Sequence, residues 1–268
     1  MGVFPRLNFP IKRFMPLAAH LGERIGRTVH VVTAKNFEAF WTSVKERRYD
    51  IVHYNQYHYI RSARDYEVVA HIKEFEKSTL SGVLYVRKGR GITEVSQLRG
   101  RTVIFGGGAD AMISYIANRY QLLKAGLKKD DFKSLFAVNP ANALVALASG
   151  IADAGGAGEG VPALPEVRQA IDVSELSALA ASPPLLQLPV AVKRDAPAKL
   201  RATIQSALVD LDNSEAGRHV LASARMTGMG MAEDRDYDAH RRMASVVFDS
   251  DRAGNKKPGA GQEPGRIK

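Results

Sequence analysis

The stretch Gly82–Gly106, GVLYVRKGRGITEVSQLRGRTVIFG, decides how the chain is organised. It opens on GVLYVR (Gly82 to Arg87), an apolar run of the length of one buried strand. A short helix near Thr93–Leu98 follows, then Gly100 and the strand Thr102–Phe105, which runs into three glycines. Next, Asp110 stands where a helix cap belongs, Ile113, Ile116, Ala117 and Tyr120 share one helical face, and Gly126 closes the helix. The alternation continues with strand Ser134–Val138, helix Ala141–Ser149 and strand Ile151–Ala154. A glycine-rich loop, GGAGEG at Gly155–Gly160, leads to a helix at Pro162–Ala170 and a strand at Leu176–Ala181. Strands alternating with helices at this spacing specify an α/β layer with a parallel sheet.

Upstream lies a separate series of the same kind. It comprises a strand at Val3-Phe4, a helix from Phe14 carrying Leu17, Leu21 and Ile25, and a strand at Val29–Val32. In the next helix Phe37, Phe40, Trp41 and Val44 recur at i, i+3, i+4 and i+7, which places Trp41 in the core. Strands Tyr49–Tyr54 and Val68–Ile72 follow. Downstream, Ser182-Pro183-Pro184 breaks the pattern, LPVAV (Leu188–Val192) returns as a strand, and helices fill Pro197–Asp210, Ser214–Ala224 and Asp236–Phe248. The second series is thus bracketed by two extended segments, Val83–Val86 and Leu185–Val192. We expect two lobes joined by two crossing strands that bend as hinges. Residues 1–84 and 188–248 form the first lobe, 85–187 the second, and the Gly/Pro/Lys-rich residues 249–268 a disordered tail.

Composition narrows the function. The chain has 268 residues, 45 % hydrophobic and 25 % charged, which is globular rather than disordered. No stretch approaches the ~20 apolar residues that cross a bilayer, so no membrane span is expected. Lys and Arg exceed Asp and Glu by 38 − 28, giving +10, but the positive residues are dispersed and read as a solvated surface, not a nucleic-acid face. The absence of cysteine removes disulfides and thiolate chemistry together. The opening MGVFPRLNFP lacks the parts of a secretory signal, which suits a cytoplasmic chain or one whose leader has been removed.

Gly106-Gly107-Gly108-Ala109-Asp110-Ala111 matches G-x-G-x-x-A between a strand and a helix. A dinucleotide site also needs an acid after the next strand, and that strand ends in Val138-Asn139-Pro140, so no cofactor is expected. The turn's backbone N–H groups still suit a small polar ligand. Tyr54-Asn55-Gln56-Tyr57-His58-Tyr59 ends another strand, where open α/β sheets bind ligands. Asn139, Asn142, Asp153 and Glu159 occupy further turns that could reach the same cleft. His53 and His58 lack supporting carboxylates, so no metal is expected. No nucleophile elbow, HExxH or P-loop is present, and the chain reads as a non-enzyme.

Several segments carry a resemblance: PLAAHLGERIGRTVHVV (Pro16–Val32), NFEAFWTSVKERRYDIVHY (Asn36–Tyr54), Gly82–Gly106 as quoted, NALVALASGIADAG (Asn142–Gly155) and PPLLQLPVAVKRDAPAKLRATIQSALVDL (Pro183–Leu211). In order and spacing the chain resembles the phosphate/phosphite/phosphonate-type substrate-binding proteins of ABC transporters. The resemblance implies the two-lobed class II periplasmic binding fold, each lobe a mostly parallel sheet flanked by helices, with two crossover strands. It implies a monomer in the periplasm that closes on a small-molecule ligand and delivers it to a membrane permease. The alternatives are a sensory module signalling to a kinase or cyclase partner, and an enzyme of cofactor or pyrimidine biosynthesis on the same fold. Ligand-binding candidates are Tyr54, Asn55, Gln56 and Tyr59 from the first lobe, with Gly107, Gly108, Ala109, Asp110, Asn139, Asp153 and Glu159 from the second.

The departures from the family shape the expected ligand. Where the family carries Gly-Pro-x-Ser-Tyr, this chain has Asn55-Gln56-Tyr57-His58-Tyr59, and only Tyr59 carries over. The family's Ser-Thr-Ser-Gly cradle corresponds to Gly107-Gly108-Ala109-Asp110, which loses every hydroxyl and gains an acid. Pro140 replaces an expected histidine, whereas Asp153 matches. The ligand is therefore expected to differ from a simple phosphonate, with an amine or amide near Asp110 and Asp153. Asp110→Ser should raise phosphate or phosphonate affinity in calorimetry, and no gain would contradict exclusion by acid repulsion.

Overall fold

The computed structural model describes residues 1–3, 11–35 and 37–254. In chain order its strands are β1 (Gly2–Val3), β2 (Ile51–His53), β3 (Tyr66–Lys73), β4 (Thr79–Leu80), β5 (Gly82–Arg87) and β6 (Thr102–Gly106). They continue as β7 (Lys133–Ala137), β8 (Ala154–Gly158), β9 (Leu176–Ala181), β10 (Leu185–Leu186), β11 (Pro189–Lys193) and β12 (Gly228–Met231). Two five-stranded sheets result, ordered β1-β2-β11-β3-β12 and β7-β6-β8-β5-β9, with β4 and β10 paired between them. In the first sheet β1, β2 and β3 share a direction; in the second β6, β7, β8 and β9 do. β5 and β11 run the opposite way in their sheets because the chain enters each straight after crossing from the other lobe.

Helices α1 (Met15–Ile25), α2 (Phe37–Lys45), α3 (Gln56–Ser62), α4 (Ala117–Lys124), α5 (Pro140–Ala148), α6 (Pro165–Ala170), α7 (Ala198–Val209), α8 (Glu215–Ser223) and α9 (Asp238–Gly254) cover the sheets. On one face of the first sheet, Leu17 and Leu21 of α1 meet Ile204 and Leu208 of α7 and Leu221 of α8. The opposite face is aromatic: Phe40, Tyr54, Tyr59, Tyr66 and Tyr237 form one cluster. In the second sheet Phe105 packs with Ile116 and Leu122 on one face, while Leu144, Leu147 and Val167 cover the other.

The GGAGEG segment is mostly a buried strand, β8, and not the expected loop. A methyl group at Gly156 would stand 2.6 Å from both the Phe105 ring and the Ser114 carbonyl oxygen. Glycine here answers to close packing between layers, which local sequence cannot distinguish from a flexible turn. Among the described residues Val29–Val32 contributes only a single bridge, Val32 to Gly2. β12 and β4 are strands the apolar pattern did not mark, while β10 opens the expected extended segment Leu185–Val192.

The expected lobe limits also shift. Val83–Val86 lies inside β5, within the second sheet, and the chain crosses one step earlier, at Thr79–Leu80. Helix α9, expected in the first lobe, places Met243, Ala244 and Val247 in the second lobe's core. It also extends to Gly254, so residues 249–254 are helical; the remainder of the expected tail lies outside the described residues, as does Phe4 of the first strand. The physical cause is Arg119, fully buried on α4, whose guanidinium donates to Asp251 Oδ1 at 2.9 Å and lies over the Phe132 ring. Removing one partner of a buried pair strands a charge, whereas an exposed pair contributes little. Asp251→Ala should therefore cost about 3 kcal/mol or more in urea unfolding. Asp249→Ala, which breaks the exposed pair with Arg252 and an exposed hydrogen bond from Ser245, should cost no more than about 1 kcal/mol. Equal costs would contradict this account of α9.

Candidate functional site

The carboxyl ends of β2 and β3 face the carboxyl ends of β6, β7 and β8 across the space between the lobes. On the second lobe, β6 ends in the turn Gly107–Asp110, which leads into a π-helical turn, Met112–Ile116, continuous with α4. Ala111 holds the N-cap position with no side-chain cap, so Asp110 is not the cap its position suggested. Its carboxylate reaches the first lobe instead. Asp110 Oδ2 lies 3.6 Å from His58 Nε2 and 3.6 Å from Arg61 Nη1, both on α3. The His58 ring, then the Arg61 charge, holds the Asp110 carboxyl below the ordinary carboxylate range.

Trp41 of α2 organises this corner. Its ring stacks on His58 at 5.0 Å, and the Arg61 guanidinium lies 4.7 Å from the Trp41 centroid and 5.3 Å from that of Tyr57. Cation–π contacts on two rings hold Arg61 in place while leaving 40 % of its side chain exposed. Trp41 is thus a half-buried wall of the cleft as well as part of the aromatic core.

The four first-lobe candidates occupy the other side of α3. Tyr54 is fully buried, its hydroxyl 2.9 Å from Ser62 Oγ. Asn55 caps α3 by accepting from the Tyr57 N–H. Gln56 donates to the Leu186 carbonyl of β10, and the buried Tyr59 donates to Asp234 at 2.6 Å. The residues of α3 turned toward the second lobe are Tyr57, His58 and Arg61, which polarity alone did not separate from their neighbours.

The second-lobe candidates divide. Gly107, Gly108 and Ala109 form the turn itself. Asn139 caps α5 by accepting from the Asn142 N–H, beside the turn, where Pro140 abuts Gly106. Glu159, just after β8, meets Lys77 of the first lobe at 3.1 Å. Asp153 sits at the far end of the sheet, accepting from the Thr102 N–H and 3.7 Å from Arg101, so the structure does not bring it to the cleft. Among the described residues no three His, Asp or Glu side chains converge as a metal site.

Two further contacts join the lobes. Arg225, before β12, stands 3.6 Å from Glu166 of α6. Phe75 and Glu76 form the tip of a tight turn between Glu74 and Lys77, both with left-handed backbone (φ 52° and 61°). Such a conformation in a bulky residue costs on the order of 1 kcal/mol. The exposed Phe75 ring lies over Gly160 of the second lobe, where a methyl group would come within 3.1 Å of it.

This geometry accords with comparison against known proteins. The model of the family described as ABC transporter, phosphonate, periplasmic substrate-binding protein matches residues 1–237. The chain belongs to that family. Its solute-binding role follows from membership, and the family is one of substrate-binding proteins, not of enzymes. A binding-protein component of an ABC phosphonate transporter from Pseudomonas aeruginosa superposes with a TM-score of 0.77 at 14 % identity, covering 97 % of this chain and 90 % of its own. PhnD1 from Prochlorococcus marinus, in complex with methylphosphonate, gives 0.77 at 17 %, covering 93 % and 97 %. A histidine kinase sensor domain similar to periplasmic binding proteins gives 0.55 at 18 %, covering 87 % and 97 %. At these identities the likeness is one of fold, and the class II two-lobed architecture is shared. Among the described residues no helix is long and apolar enough to cross a membrane.

In this phosphonate-family protein the floor of the cleft is the ribbon of β4 and β10. Gln56 and His240 Nε2 both approach the Leu186 carbonyl, at 3.2 and 3.1 Å, while Tyr237 donates to that of Gln187. Burial pushes the His240 imidazole down to about 4. Between about pH 6.5 and 4 the unfolded chain binds a proton that the folded chain refuses, so stability is full above that window and falls as pH drops through it. The loss attributable to His240 approaches about 3 kcal/mol, at roughly 1.4 kcal/mol per pH unit. His240→Gln, which keeps a donor for Leu186, should flatten urea-unfolding stability across this range, leaving the contribution of His71, also lowered by burial. An unchanged slope would contradict the assignment.

Proposed function

We propose that this protein traps a small polar ligand, phosphonate-like or a related small metabolite, between its lobes in the periplasm and delivers it to an ABC transporter permease. The observation that carries the reading is the cleft itself. Two sheets point their carboxyl ends at each other, joined by one two-stranded ribbon and by helix α9, which packs on both lobes, while the contacts across the cleft itself are exposed ion pairs and the Phe75 ring. Polar, exposed contacts across the cleft separate readily, which supports opening there with the ribbon and α9 as the lasting connections. A ligand that binds the closed state better than the open one would shift the lobes together.

The side chains at the cleft favour a ligand unlike a bare phosphonate. The turn Gly107–Asp110 offers no hydroxyl, and Asp110 and Glu159 are the ligand-binding candidates whose carboxylates face the first lobe. An amine or amide on the ligand would meet them, with Asn139 beside the turn. Asp153, at the other end of its sheet, takes no part in this proposal. The similarity to a histidine kinase sensor domain supports a second reading, a ligand-sensing module with a membrane sensor partner. Ligand-dependent binding to permease, and not to a sensor ectodomain, decides between the two.

Native mass spectrometry of freshly purified protein, followed by a thermal-shift screen of phosphonates, amines and amino acids, tests the reading. A ligand at 100 times its Kd stabilises the fold by about 2.7 kcal/mol, a readily visible shift. A protein that carries no small molecule and responds to none of the three classes would overturn it.

A further inference from the structure

The His58–Arg61 corner has the construction of an anion site with a tenant already in it. Both nitrogens point at one oxygen, Asp110 Oδ2, and both come from the first lobe, whereas Asp110 comes from the second. The two donors are held before any partner arrives: His58 by its stack on Trp41, Arg61 by the Trp41 and Tyr57 rings. At 3.6 Å from both nitrogens, the Asp110 carboxylate pairs with the Arg61 charge and lies against the His58 ring.

We infer that Asp110 is an intramolecular surrogate ligand, an acid of the second lobe that occupies the first lobe's cationic corner and so excludes small oxyanions from the cleft. The inference rests on the solute-binding reading and deepens it by naming the residue that sets the ligand class. It differs from simple repulsion. A repelling carboxylate acts wherever the anion would sit, whereas a surrogate acts only through the donors it engages. The two accounts therefore differ in what Arg61 must do once Asp110 is neutral.

The lone tryptophan is the natural reporter, because Trp41 touches both His58 and Arg61. Inorganic phosphate is titrated at low ionic strength into the wild type, Asp110→Asn, and the double variant Asp110→Asn/Arg61→Gln, with Trp41 fluorescence and calorimetry as readouts. Both substituted side chains are substantially exposed, and thermal unfolding confirms that each variant is folded. Asp110→Asn should bind phosphate at least about tenfold more tightly than the wild type, about 1.4 kcal/mol, with a change in Trp41 emission. The double variant should lose that gain. Wild-type-like affinity in Asp110→Asn overturns the inference, and so does a gain that survives Arg61→Gln, which would mean relief of repulsion alone. The outcome is separable from that of the ligand screen. A gain in Asp110→Asn without any wild-type ligand sustains the surrogate and removes the solute-binding reading; a wild-type ligand without that gain does the reverse.

Discussion

Leu80 pairs with Leu185 and Thr79 with Leu186, antiparallel, where the chain passes out of the first lobe and back into it. The backbone N–H of Gln187 adds a bond to the Ser78 carbonyl, and Gln56, His240 and Tyr237 fasten the returning segment from the first-lobe side and from α9. A two-stranded ribbon alone is marginal in water, so these side-chain fastenings position it. From this one crossing follow the reversed strands β5 and β11, the opposed carboxyl ends of the two sheets, and the cleft between them.

The contacts that span the cleft share a polarity. Each cation belongs to the first lobe (His58 when protonated, Arg61, Lys77, Arg225) and each acid to the second (Asp110, Glu159, Glu166). The exposed pairs among them, those of Arg61, Lys77 and Arg225, contribute about 0–1 kcal/mol apiece. Together they hold the lobes only weakly, and in the proposed role a ligand that binds the closed state better would add to them. Helix α9 adds a different link. It stacks Phe248 on Tyr57 of the first lobe at 5.1 Å and anchors Asp251 to Arg119 of the second, so its packing spans both lobes.

The reading of Tyr54–Tyr59 shows where sequence runs out. That this segment closes a strand at the cleft end of a sheet is legible, because strand, turn and helix signals are local. Which side chains face outward is not. Gln56 and Tyr59 are drawn away by the Leu186 carbonyl and by Asp234, partners 130 and 175 residues away, and that rotation leaves Tyr57, His58 and Arg61 on the side toward the second lobe. Asp153 fails for a related reason. Its match to the family pattern locates it in the chain, but β8 begins after it and carries the cleft end of the strand to Gly158 and Glu159.

From the sequence alone came the α/β alternation, the two lobes and the double crossing, since apolar periodicity and turn residues act over a few positions and survive in any context; the family came from a resemblance in the order and spacing of whole segments. The tertiary structure decided that GGAG is a buried strand, that α9 reaches across to the second lobe, and that Asp110 engages α3 instead of capping its own helix. Each of these depends on an atom supplied by a distant part of the chain, and for such atoms neighbouring residues carry no signal.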